Sequence, residues 1–124
     1  MESKYIKTVL KLNRLTKENE LIWETSRFDP NSISGTERMV GNAFVTTAND
    51  KQIRLYKFEY RHYTDEDEFF WAPDFRLEFI DSRGNGSWQF PDDRTITDLY
   101  ETVTYKTSGA EEFVDGFLDE EDLK

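Results

Sequence analysis

Cysteine is missing from the chain, and histidine is represented by His62 alone. The first absence removes any disulfide framework and any thiolate chemistry, and it fits a reducing compartment. The second leaves little room for a catalytic triad. The lone imidazole sits among Tyr60, Arg61 and Tyr63 in a stretch that reads as a strand, with no nucleophile motif beside it. Also missing is any run of ~18 apolar residues, the length a membrane-spanning helix needs. The opening Met-Glu-Ser-Lys-Tyr-Ile-Lys has neither an apolar core nor a small-residue cleavage site, so no secretory signal is expected. These absences point to a cytoplasmic protein with no membrane partner. Cofactor signals are missing as well. Gly84-Asn-Gly86 is not followed by the helix start that a phosphate loop requires. The acidic run Asp65-Glu-Asp-Glu68 lacks the ligand spacing and central glycine of a calcium loop. No metal and no cofactor is expected.

Apolar residues are scarce at 36%, but aromatic residues reach 15%, nineteen rings in 124 residues. Each ring buries roughly 150–250 Å², so together they supply a core that the aliphatic residues alone would not. Disorder of the whole chain is therefore not expected. The net charge of −10 is unevenly spread. Residues 1–61 hold eleven Lys/Arg against eight Asp/Glu, a balance of +3, while residues 62–124 hold five against eighteen, a balance of −13. Such a field repels duplex DNA and anionic lipid and favours a basic protein surface as partner, while exposed rings would favour an apolar one.

Periodicity places the elements. Ile6, Val9, Leu10 and Asn13 repeat at helical spacing, with Tyr5 and Leu12 widening the stripe and Ser3 as N-cap, so a helix is expected from Ser3 to about Leu15. Leu21 to Arg27 reads as a first strand, with Leu21 and Trp23 facing the core and Ile22 and Glu24 facing away. Val40–Thr47 and Gln52–Tyr63 form a hairpin across Ala48-Asn-Asp-Lys51. Phe75, Leu77 and Phe79 alternate with Arg76 and Glu78 as a half-buried strand. Asp81–Gly86 then makes a glycine-rich loop into Ser87–Phe90. Phe69, Phe70 and Trp71 extend a strand or form an exposed aromatic lip that Pro73 closes. Ile96, Leu99, Tyr100 and Val103 make a second helical stripe, with Thr95 expected as its N-cap and Gly109 as its stop. Glu111–Leu118 forms a last short helix with Phe113, Val114, Phe117 and Leu118 on one side.

The strand from Gln52 to Tyr63 carries apolar residues on both faces: Ile53 and Leu55 on one, Tyr56, Phe58 and Tyr60 on the other. Either both faces are partly covered or a bulge near Leu55 moves the apolar set across, and partial cover of both faces is the expectation. Whichever set the terminal helices leave bare becomes the candidate binding surface. Tyr56, Phe58, Tyr60, Phe69, Phe70 and Trp71 are the candidate interaction residues. Arg54, Lys57 and Arg61 interleave with the first of these rings in a faint stacking pattern for single-stranded nucleic acid. The acidic loop that follows opposes it, and no direct nucleic-acid binding is expected.

The order of elements resembles a group of short bacterial proteins of unknown function. The residues that carry the resemblance are Leu15-Thr-Lys-Glu-Asn-Glu-Leu-Ile-Trp23 after a helix, a meander ending Leu77-Glu-Phe-Ile-Asp-Ser-Arg-Gly84, Leu99-Tyr-Glu-Thr-Val103, and Phe113-Val-Asp-Gly-Phe-Leu118. It covers most of the chain and implies an α+β fold, with no activity and no catalytic residue to carry over. The long loop from Phe28 to Met39 departs from that pattern. Size and acidity are also similar to secretion chaperones that bind unfolded effector segments. Those place a helix between the third and fourth strands, where Thr64–Asp74 has Pro73 and no helical stripe.

The sequence thus predicts one α+β domain over residues 1–118, followed by an acidic, frayed tail at 119–124. The domain is a meander of four or five antiparallel strands with N-terminal and C-terminal helices packed on one face. The favoured function is a non-enzymatic protein-binding module using a sheet face or the aromatic loop. One alternative is an acidic inhibitor that mimics nucleic acid. Another is a small enzyme whose carboxylate pair shows no local motif. An edge strand offers a route to a homodimer.

Overall fold

A computed structural model describes residues 3–26 and 29–124. Eight elements follow one another: α1 (Lys4–Lys17), β1 (Glu24–Thr25), β2 (Glu37–Ala48), β3 (Lys51–Tyr63), β4 (Phe69–Ile80), β5 (Gly86–Gln89), α2 (Arg94–Thr107) and α3 (Ala110–Phe117). The strands form one antiparallel sheet in the order β1-β2-β3-β4-β5, the expected meander.

Local chemistry explains most boundaries. Ser3 caps α1, its hydroxyl accepting from the Tyr5 amide at 3.1 Å. Between β2 and β3, Asn49 and Asp50 take φ of 49° and 62°, the paired left-handed residues of a tight hairpin turn. Gly109, at φ 82°, separates α2 from α3. Residues 64–68 are a bend between paired strands, so the helix of the secretion chaperones has no counterpart here.

Other boundaries differ from expectation, each for a visible reason. The first strand shrinks from residues 21–27 to Glu24–Thr25, and Arg27 lies outside the described residues. The Leu21 amide donates to the Leu15 carbonyl, closing the end of α1 and so leaving the ladder. Leu21 and Trp23 are nevertheless buried, while Ile22 and Glu24 are exposed. The long loop is shorter than expected, because residues 37–39 already pair with β3 as part of β2. Pro73 does not close a segment but lies within β4, opposite Glu59. It is tolerated because β5 pairs only with residues 78–80, leaving the outer side of β4 without a neighbour at Pro73. The cap of α2 is Asp93 rather than Thr95. Its carboxylate accepts from both the Thr95 amide (2.9 Å) and the Thr95 hydroxyl (2.7 Å), and these bonds hold its pKa below the ordinary carboxylate value. An aspartate accepts where a threonine hydroxyl would be a weaker cap.

The helices α1 and α2 cover one face of the sheet. Val9 and Leu12 from α1 and Ile96, Leu99 and Val103 from α2 pack with Phe44, Ile53, Leu55 and Leu77. Trp23 joins them, and its indole N–H donates to the Thr16 hydroxyl at 3.0 Å, which in turn donates to the Leu12 carbonyl. Each fully buried leucine here contributes about 1.5–3 kcal/mol of transfer free energy.

The opposite face is also covered, by residues 29–36. Ile33 and Met39 pack over Tyr56 and Phe58. Ser32 donates to both oxygens of Glu78, and Arg76 donates to the Ser32 carbonyl at 3.1 Å. A register shift of β2 between Val40 and Phe44, with Gly41 at φ 70°, places the irregularity opposite β3 rather than within it. Ile53, Leu55, Tyr56 and Phe58 are therefore buried within one chain, with Tyr60 half-buried beside them, and neither Tyr56 nor Phe58 (0% and 3% exposed) belongs to a free surface. The expected cover of both faces is present, and it corrects the placing of Tyr56 and Phe58 among the candidate interaction residues. A segment rich in turn residues proved long enough to fold under the sheet.

Candidate functional site

Of the six candidate residues, four gather at one place. From the edge of the buried core, β3 and β4 run on as a hairpin through the cross-strand pairs Tyr60↔Ala72, Arg61↔Trp71, His62↔Phe70 and Tyr63↔Phe69. The Thr64 amide closes it on the Glu68 carbonyl at 2.9 Å. Alternation puts rings on both sides. On one side Tyr63 and Phe69 meet at 5.4 Å, and Phe69 and Trp71 meet edge-on at 5.7 Å. On the other His62 lies 4.8 Å from Phe70 and 6.5 Å from Tyr60. Tyr63, Phe69 and Phe70 are 53%, 41% and 53% exposed, whereas Tyr60 and Trp71 are half-buried.

Two guanidinium groups order the first side. Arg38 stacks 3.9 Å from the centre of Trp71 and bonds Glu59 at 2.7 Å. Arg61 lies 5.0 Å from Phe69 and 5.6 Å from Trp71. Such contacts are worth about 0.5–1 kcal/mol each when exposed, enough to hold ring orientations without burying them. The acidic loop Asp65–Glu68 projects just beyond, fully exposed. The hairpin end is thus a rigid, ring-bearing strip with a negative tip.

Among the described residues no three acidic or histidine side chains come together as a metal site. Asp92 and Asp74 lie side by side, and the Asp92 carboxyl is pushed up, first by burial and then by the neighbouring Asp74 charge. Asp92 is exposed, however, and lies at the rim of a shallow cleft that Ser3, Tyr5 and Thr95 also line. Among the described residues no helix is long and apolar enough to cross a membrane.

Known protein families, curated proteins and solved structures offer no match to this chain.

Burial has a measurable consequence at Tyr56. Its hydroxyl accepts from Arg76 at 2.9 Å, yet burial dominates and pushes the phenol from 10.0 to about 12. The fold favours the neutral phenol, so this contribution to stability is complete below pH 10.0 and is lost as pH rises towards about 12. In a near-ultraviolet titration of the six tyrosines, Tyr56 should ionise last, and Tyr56→Phe should delete that late step. A single transition for all six at the ordinary phenol pKa would contradict the burial.

Two features escaped the sequence. The cover supplied by residues 29–36 carries no period, only turn residues. The buried Arg54–Glu78 pair left a faint signal, a charge in each of two neighbouring strands at positions that the register sets opposite each other.

Proposed function

We propose that this chain is a small non-enzymatic protein-binding module and that the β3–β4 hairpin end is its contact surface. The observation that carries this reading is the exposure of Tyr63, Phe69 and Phe70 on an antiparallel hairpin where Arg61 stacks on Phe69 and Arg38 on the neighbouring Trp71. Exposed aromatic side chains with few rotatable bonds lose little entropy on contact, which is why such residues dominate binding hot spots. The acidic tip selects for a partner whose apolar surface is rimmed by Lys or Arg, and screening should weaken that selection as salt rises.

The test is selection of peptides from a random displayed library against the whole protein, followed by binding to Phe69→Ser/Phe70→Ser. Both side chains are exposed, so the variant should keep the wild-type circular dichroism and melting temperature. Peptides enriched in apolar and basic residues should lose at least about tenfold in affinity. Peptides that bind the variant as well as the wild type would place the contact elsewhere.

A further inference from the structure

α3 buries none of its residues. Phe113, Val114, Phe117 and Leu118 are 67%, 41%, 75% and 38% exposed, and Phe113 stacks on Phe117 with centroids 5.5 Å apart. Their spacing puts all four on one stripe of the helix. Carboxylates flank it: residues 110–124 contain seven Asp/Glu and one Lys, a balance of −6. The Asp119 carboxylate accepts from the amides of Glu121 and Asp122, folding the tail into a turn beside the helix end. Within the chain α3 is tied to α2 by Lys106, whose ammonium meets Glu111 at 2.6 Å.

A surface of complementary chemistry lies elsewhere on the molecule. Between α1 and the β2–β3 turn runs a groove of about 530 Å³, walled by Leu12, Leu15, Ile53, Phe79 and Phe90, with Lys11 and Lys51 at its margin. Both lysines are exposed, and neither forms an ion pair among the described residues. No α3 residue lines this groove. Glu111 and Glu112 border a separate cleft with Thr16, Trp23 and Lys106. The apolar stripe of α3 and the lysine-edged groove are thus both unoccupied in one copy and opposite in charge.

We propose that α3 of one copy docks in the Lys11–Lys51 groove of a second copy, with Phe113 and Phe117 against its apolar wall and the flanking carboxylates facing the lysines. An amphipathic helix laid in an apolar groove is a recurrent recognition mode, and the groove volume falls within the roughly 300–1,000 Å³ of established pockets. Charge sign decides the occupant. A helix and tail that together carry −6 over residues 110–124 are repelled by the rest of the C-terminal half and attracted by the basic α1. Each copy carries both surfaces, so the contact closes as a twofold pair or continues as a chain. It does not involve the hairpin end and stands independently of the function proposed above.

Sedimentation velocity of the full chain tests this. Wild type should associate with rising concentration, less so at high salt. Phe113→Ser/Phe117→Ser and Lys11→Glu/Lys51→Glu should each weaken association at least about tenfold while keeping the wild-type melting temperature, because all four side chains are exposed. Mixing the two variants should restore a heterodimer, since each supplies the surface the other lacks. A wild type that stays monomeric throughout would overturn the proposal. So would lysine variants that associate like wild type, which would mean that α3 stripes pair with each other, or a mixture that stays monomeric.

Discussion

Glu78→Ala should lower the unfolding free energy by about 3–5 kcal/mol, a large share of the roughly 5–15 kcal/mol that holds a domain together. Arg54 and Glu78 are 1% and 2% exposed, and they meet across β3 and β4 at 3.0 Å. Arg54 also donates to the Gly84 carbonyl at 2.7 Å, and Ser32 donates to both oxygens of Glu78. Removing the carboxylate leaves a guanidinium out of water with one carbonyl for company, while its Nε already has no acceptor among the described residues. The loss comes from the stranded charge more than from the bond. Arg54→Met combined with Glu78→Leu should therefore recover most of the deficit, because neither charge then needs desolvating. Gly86→Ala should act in the same direction, since a Cβ there would collide with the Glu78 carboxylate and with Ser32 Oγ. Denaturant titration reads all three, provided the slope m is unchanged. A loss under about 1 kcal/mol for Glu78→Ala would show that water reaches the pair.

Leu99→Ala should cost about 2–5 kcal/mol, whereas Phe113→Ala should stay within about 0.5 kcal/mol of wild type at concentrations where the chain is monomeric. The two residues look alike in sequence, each an apolar side chain on a helical stripe. Leu99 is 0% exposed and packs with Leu55, Leu77 and Val103, so truncation opens a cavity that rigid neighbours do not refill. Phe113 is 67% exposed and touches Phe117. Equal costs at the two positions would mean that α3 packs on its own chain and that the docking proposal has no free helix to use.

That contrast marks how far the sequence could be read. Helical and twofold periodicity located α1, α2, α3 and the long strands, because a residue's spacing decides which side chains share a face. Asn49-Asp50 marked the tight turn, because few residues adopt left-handed backbone at low cost. Asp93 rather than Thr95 caps α2, since residues two apart could both accept and only the point at which the backbone turns helical chose between them. Of the candidate site residues, Tyr60, Phe69, Phe70 and Trp71 came together at the hairpin end, while Tyr56 and Phe58 went into the core.

By itself, then, the sequence determined that this is an antiparallel meander with helices, and which residues point together along each element. What only the tertiary structure decided is what lies against each face. Residues 29–36 bury the far side of β3, α2 buries Leu99, and nothing among the described residues buries the stripe of α3. The reason is physical. Periodicity is a property of one element and survives in its own residues, whereas cover is a relation between distant segments. It is set by chain connectivity and by the surplus of burial over conformational entropy.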